Sequence, residues 1–167
     1  TRLIRARITK QRFCTHGCKP CSLEGCPLHN FLESSRFIVS SKVGVQYDVR
    51  FALDCQSVNV VYVISCLKCM KQGVGECGLP VSRVPSYIRT VTVPGFTTDH
   101  FKCVIHRHFV LTPHEPGDLR ICFVDALPLN LNAKPSLLFA MRKKLENRWI
   151  HRLDAELNVK RFQHGSF

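Results

Sequence analysis

The chain has 167 residues, 45% of them hydrophobic, which suits one ordinary domain with a buried core and excludes a wholly disordered chain. Its net charge is +12, and it contains ten cysteines. No apolar run approaches the ~20 residues of a membrane span, and no secretory signal opens the chain. We therefore expect an intracellular protein, nuclear or cytoplasmic, that is not secreted and has no membrane partner. Because the first residue is Thr1, we expect a cut or processed N-terminus.

The positive charge is clustered in two stretches. Residues 1–20 contain six basic residues and no acidic one, and residues 134–152 contain six basic residues with Glu146 as the one acid. Such runs favour a nucleic-acid partner, DNA or RNA, over a small-molecule substrate, although a single run often marks only a solvated face. The predicted nucleic-acid contacts are Arg2, Arg5, Arg7, Lys10, Arg12, Arg142, Lys143 and Lys144.

The first elements in chain order are a cysteine-rich segment and a hairpin. Residues 14–30 are too short and too rich in glycine and proline for a helix. Apolar residues alternate over residues 45–53, which predicts a half-buried strand. Residues 35–40 are its candidate hairpin partner, with Gly44 at the turn.

The core elements follow. Residues 58–64 are rich in β-branched side chains and predict a buried central strand, and further strands are predicted at residues 72–76 and 119–127. Residues 79–90 are weakly helical with an interruption at Pro85, and residues 91–118 are predicted to be mostly loop.

The clearest helix spans residues 136–153. Its apolar stripe has spacings of three and four residues, and Pro135 suits a first helical turn. Glu146 lies beside the stripe, within reach of a groove; alternatively, it pairs with Arg142 four residues earlier.

Two C-x2-C pairs, Cys18/Cys21 and Cys66/Cys69, predict structural zinc. Each pair can supply two thiolates at adjacent corners of a tetrahedron, so together they would close a four-thiolate site. Rival ligands are Cys14, Cys26, His29 and Cys55, and a compact local site would use Cys18, Cys21, Cys26 and His29. Ordinary buried thiols are expected at Cys77, Cys103 and Cys122.

A second candidate metal site consists of His100, His106, His108 and His114, although structural or phosphate-contacting roles are more usual for such histidines.

The order of several distinctive residues resembles the GIY-YIG nuclease family, and more closely the endonuclease domain of Penelope-like retroelements. Tyr62 ends a V-V-Y triplet, G-V-G follows at 73–75 with Glu76, and Arg83 comes next. Later motifs are His108-Phe109, Glu146 before Trp149-Ile150, and Leu157-Asn158. That subgroup also carries cysteines upstream, before the first motif strand and between the two motif strands. The resemblance covers about residues 14–158.

The resemblance implies a small mixed α+β fold around a three-stranded antiparallel sheet flanked by helices, here with a zinc-stabilised N-terminal extension. It implies phosphodiester cleavage with one divalent metal, Mg2+ or Mn2+. The implied catalytic residues are Tyr62 as base, Arg83 facing the phosphate and Glu146 holding the metal, with Tyr87 and Asn158 as further site residues. The implied boundaries are an extension at 1–54, a GIY-YIG-like core at 55–158 and a basic tail at 159–167.

Three functions remain open from the sequence. The first is an active DNA endonuclease of retroelement origin. The second is a domesticated fold that binds RNA or a ribonucleoprotein such as a ribosome, which is suggested by Gly73 at the position of the second motif tyrosine. The third is a zinc-stabilised protein-interaction domain, which leaves the charge of +12 without a role.

Overall fold

The computed structural model describes residues 16–93, 95–96, 104–111, 113–128 and 132–158. The predicted contacts at residues 2, 5, 7, 10 and 12, as well as Cys14, His100 and Cys103, lie outside these ranges.

A three-stranded antiparallel sheet forms the centre of the described chain. Strand β5 (Val60–Cys66) lies between β6 (Lys71–Cys77) and β7 (Leu119–Ala126). The first five residues of β5 are all at most 1% exposed, because β-branched side chains pack on both faces of the sheet. The predicted mixed α+β class with a three-stranded antiparallel sheet is therefore confirmed.

Four short strands precede this sheet and form two small two-stranded sheets. Strand β1 (Gly17–Cys18) pairs in parallel with β4 (Ala52–Leu53), and β2 (Phe37–Val39) pairs with β3 (Gln46–Asp48) in an antiparallel hairpin. The hairpin is as predicted, with Gly44 in the left-handed region at φ 70°. The continuous strand predicted over residues 45–53 is wrong, since the chain changes sheets between β3 and β4.

Four α-helical segments and the 3-10 turn Pro116–Asp118 complete the described fold. The α-helical segments are α1 (Pro80–Arg83), α2 (Pro85–Thr92), α3 (Val104–Leu111) and α4 (Pro135–Leu153). Pro85 separates α1 from α2 as predicted, because its ring prevents a continuous helix. The loop predicted over residues 91–118 is wrong at α3, a short helix that buries Ile105 and Phe109. No helix among the described residues is both long enough and apolar enough to cross a membrane.

Helix α4 packs on β6 and β5 with its second half, where Trp149 and Leu153 are buried. The Trp149 indole donates a hydrogen bond to Asp125 in β7 (2.9 Å). The outer strands of the central sheet also gain backbone partners: Ile121 exchanges hydrogen bonds with residues 31 and 33, and the Leu157 N–H donates to the Gln72 carbonyl (2.9 Å). These contacts bring the end of α4 and the segment after it against β6.

Candidate active site and metal-ligating clusters

One cleft of 460 Å³ lies between β6, α1, α2, α3 and α4. All five residues predicted as catalytic from the resemblance line it: Tyr62, Arg83, Tyr87, Glu146 and Asn158. They span almost a hundred positions of sequence and reach the cleft from β5, α1, α2, α4 and the segment after α4. The fold thus brings the predicted set together.

Tyr62 forms the buried floor of the cleft. Its side chain lies across Gly75, the residue opposite it on β6, where a Cβ atom would overlap the Tyr62 ring. A glycine is therefore required at position 75 for Tyr62 to reach the cleft. Burial raises the pKa of Tyr62 well above its ordinary value, and the neighbouring Tyr87 adds to the rise. The Tyr62 hydroxyl is consequently neutral in the folded protein.

Arg83 and Tyr87 stand beside Tyr62. The hydroxyls of Tyr62 and Tyr87 are 3.4 Å apart, and the Tyr87 ring stacks on His106 of α3 at 4.2 Å. Burial alone would lower the pKa of Arg83, but the adjoining Tyr87 and Tyr62 hydroxyls outweigh it and raise that pKa. The guanidinium therefore stays cationic and places a fixed positive charge in the cleft, where a phosphate can bind.

Glu146 points from α4 into the cleft. It is 8% exposed, and burial raises the pKa of its carboxyl despite the opposing effect of Lys143. The Lys143 Nζ lies 2.7 Å from one Glu146 oxygen and 3.5 Å from an oxygen of Glu76. The cleft therefore holds two largely buried carboxylates with one ammonium between them.

The side chain of Arg142, a predicted nucleic-acid contact, pairs with groups of the protein itself. Its Nε donates to Glu76 (2.7 Å) and its Nη1 donates to Asn59 (2.7 Å), with the Arg142 side chain 12% exposed. The alternative pairing of Arg142 with Glu146 is wrong, since Lys143 is the partner of Glu146. Arg142 is thus a structural link between α4, β6 and the start of β5, whereas its neighbour Lys144 is exposed.

Asn158 joins the chain after α4 to β6. Its side-chain oxygen accepts a hydrogen bond from the Val74 N–H (2.7 Å), and its side-chain nitrogen donates to the Val74 carbonyl (2.8 Å). The amide therefore pairs with the β6 backbone as a neighbouring strand would. This places Asn158 in the wall of the cleft in a supporting position.

Gly73, at the position of the second motif tyrosine, faces filled space. A Cβ atom there would meet the Ile105 side chain at 2.7 Å and the Leu157 Cβ at 3.0 Å. Ile105 and Leu157 also line the cleft. The volume on this side of β6 is therefore occupied by two aliphatic side chains.

The first metal-ligating cluster consists of Cys66, Cys69, His108 and His114, whose ligand atoms all lie within 4.8 Å of one another. Cys66 ends β5, Cys69 lies in the turn between β5 and β6, His108 comes from α3, and His114 precedes the 3-10 turn Pro116–Asp118. The His108 Nε2 atom is buried and has no hydrogen-bond partner among the described residues. Burial lowers the pKa of His108, so its ring is held neutral with a lone pair for a ligand. Two thiols and two imidazoles are a donor set that suits zinc.

The second cluster consists of Cys21, Cys26 and Cys55, again within 4.8 Å of one another. Burial raises the pKa of Cys55 to about 12, while a backbone hydrogen bond at Leu23 is the main cause of a lowered pKa at Cys21. A metal ion would compensate the burial of these thiolates.

Cys18 belongs to neither cluster, so the predicted site of two C-x2-C pairs is wrong. The Cys18 sulfur accepts a hydrogen bond from the Phe123 N–H (3.3 Å) in β7. Cys18 lies in β1 and is 2% exposed, within the hydrophobic core. His29 is exposed and is likewise outside both clusters, whereas Cys77 and Cys122 are buried thiols as predicted.

The sequence indicates no role for Glu76 and favours structural or phosphate-contacting roles for His108 and His114. The two histidines and the C-x2-C pair Cys66/Cys69 are recognisable in the sequence, but the helix that positions His108 is not. No family model matches the chain, and no significant match was found among curated proteins or solved structures.

Proposed function

We propose that this protein is a nucleic-acid-binding domain of the GIY-YIG type that cuts phosphodiester bonds of DNA with a divalent cation. The observation that supports the proposal is the cleft itself. Five residues chosen from a motif order, and widely separated in sequence, line one cavity. A retroelement origin of the Penelope-like type accords with the same motif order.

The residues at Glu146 fit a divalent cation. The Lys143 ammonium already stands between oxygens of Glu146 and Glu76, so the position accepts a positive charge. Carboxylate oxygens are the protein ligands that Mg2+ prefers, and it usually keeps several waters beside them. Bound there, the cation would neutralise phosphate charge and lower the pKa of a water.

Other residues of the cleft bind the phosphate, act on the attacking water and support the site. Arg83 binds the phosphate and stabilises the negative charge that develops on it. Tyr62 is neutral at rest and hydrogen-bonded to Tyr87, and Arg83 is the nearby charge that favours loss of the Tyr62 proton to solvent. The Tyr62 phenolate then accepts a proton from the attacking water as the water oxygen bonds to phosphorus. The bond from phosphorus to the leaving oxygen breaks, and the leaving oxygen takes a proton from solvent. Asn158 holds β6 in place, so that Gly75 leaves room for Tyr62.

Nicking of supercoiled plasmid DNA in Mg2+ or Mn2+ tests the proposal. The wild type should nick, and Glu146→Gln should lose at least about a hundredfold in rate because the isosteric amide is a poor cation ligand. Arg148→Met is the matched control, since Arg148 is exposed on the same helix and outside the cleft. Equal rates for Glu146→Gln and wild type would refute the assignment of the site.

A binding module for RNA or a ribonucleoprotein is the second candidate, and the filled space at Gly73 favours it. Wild-type protein that binds nucleic acid without nicking it in either metal would support this candidate over the nuclease. In both cases the affinity should fall steeply as salt rises, because phosphate contacts release counterions. Affinity that is flat in salt would contradict both and favour a protein partner.

We propose further that both cysteine clusters hold structural zinc. The four-donor cluster would close a tetrahedral site, and the three-thiol cluster would leave one position for a further ligand. Elemental analysis should find one zinc ion for each cluster, with one lost in His108→Ala and the other in Cys55→Ser. Cys77→Ala, outside both clusters, should lose none. Folded protein without zinc would refute this proposal.

A further inference from the structure

Lys143 reaches two carboxylates that are fixed and largely desolvated. The side chains of Glu76 and Glu146 are 8% and 11% exposed, whereas that of Lys143 is 44% exposed. One Glu76 oxygen is held by Arg142 at 2.7 Å, which leaves the other oxygen beside Lys143. The two carboxylates are therefore held on either side of one position, and the flexible Lys143 side chain reaches this position from the solvent side.

We propose that Lys143 fills the divalent-cation position between Glu146 and Glu76 in the protein free of nucleic acid, and that a cation binds only after the lysine swings out. This inference rests on the proposed function, because it assumes a divalent cation at Glu146. An ammonium 2.7 Å from a carboxylate oxygen weakens the binding of a divalent ion to that oxygen, since the two positive charges repel at contact distance. Lys143 is thus an internal competitor of the cation.

Phe139, one turn earlier on α4 and 49% exposed, lies beside Lys143 at the mouth of the cleft. With Lys143 between the two carboxylates, its Nζ is 5.8 Å from the ring centroid of Phe139, so a small movement toward the solvent brings the ammonium closer to this ring. A cation–π contact with this ring can hold the displaced ammonium near the solvent. A phosphate entering the cleft would attract Lys143 in that location, so substrate binding and cation binding favour each other.

Mn2+ affinity, measured by electron paramagnetic resonance of the free ion on zinc-loaded protein without nucleic acid, tests the competition. Lys143→Met should bind Mn2+ about tenfold more tightly than wild type, because it removes a charge-assisted contact of a half-exposed lysine. Arg148→Met removes an exposed positive charge from the same helix and should stay within about twofold of wild type. Equal affinities of Lys143→Met and Arg148→Met would overturn the inference.

Amine labelling of the wild-type protein gives a second readout that needs no variant. Mg2+ should increase the labelling of Lys143, detected by mass spectrometry, relative to the exposed Lys134, and unchanged labelling would overturn the inference. Glu146→Gln separates the two proposals. Mn2+ binding at wild-type affinity in Glu146→Gln would refute the cation position on which the proposed function depends. Mn2+ binding that is lost in Glu146→Gln but unaltered in Lys143→Met would refute only the role of Lys143.

Discussion

Replacement of Arg142 by methionine tests whether this residue is a structural link or a nucleic-acid contact. The substitution removes two hydrogen bonds of 2.7 Å and leaves Glu76, whose side chain is 8% exposed, with less of its charge compensated. Removal of one member of a buried ion pair costs about 3–5 kcal/mol. Lys143, whose Nζ lies 3.5 Å from the other Glu76 oxygen, still compensates part of the Glu76 charge in the variant. We therefore expect the free energy of unfolding to decrease by about 2–3 kcal/mol.

Urea denaturation followed by circular dichroism measures this loss, and thermal melting should show a decrease in Tm of about 5–10 °C for a domain of this size. Arg148→Met is the control, because it removes the same charge from an exposed position and should change stability by less than about 0.5 kcal/mol. If Arg142→Met is no less stable than Arg148→Met, the argument from the buried pair is wrong.

Three further substitutions test the cleft. Tyr62→Phe should reduce nicking by about a hundredfold or more, while it lowers stability by only about 1 kcal/mol through loss of the hydroxyl contact with Tyr87; kinetics and denaturation together check this. Gly73→Tyr should destabilise the fold by about 1–3 kcal/mol through overlap with Ile105, and Ile105→Ala in the same chain should relieve part of that loss in urea melts. Because burial raises the pKa of Glu146, its carboxyl holds a proton more tightly in the folded state. Stability of the wild type should therefore fall relative to Glu146→Gln as pH rises through the ordinary and then the raised pKa, and the two curves should converge in acid.

The sequence predicted elements whose pattern repeats over enough residues. The run at 58–64 contains five β-branched residues and the stripe of α4 contains five apolar residues, and both elements occur close to their predicted bounds. The strand expected over 45–53 failed because alternation does not report which strand each residue pairs with, and Val45 and Phe51 of the expected buried face are exposed. The change of partner to β1 at Ala52 and Leu53 depends on contacts far away in sequence.

The residues that line the cleft could be predicted from the sequence, but the grouping of the metal ligands into clusters could not. The motif order supplied Tyr62, Arg83 and Glu146, which the fold brings to one cleft. The C-x2-C pair Cys66/Cys69 shares one cluster, whereas the pair Cys18/Cys21 does not, and the remaining ligands depend on which elements pack over each turn. Helix α3 carries too few residues for a clear period, so the approach of His108 to Cys66 and Cys69 could not be predicted.

The side chain of Asn158 has a consequence beyond the cleft. The Asn158 side chain hydrogen-bonds the backbone of Val74, and the Leu157 N–H bonds the Gln72 carbonyl. These contacts satisfy backbone groups of β6 that a strand of another molecule would otherwise pair with. Residues 31–33 do the same for β7 on the opposite side. These contacts leave fewer backbone groups available for strand addition at Gln72, Val74 and Ile121, and we expect a shortening of the chain before Leu157 to free those of β6.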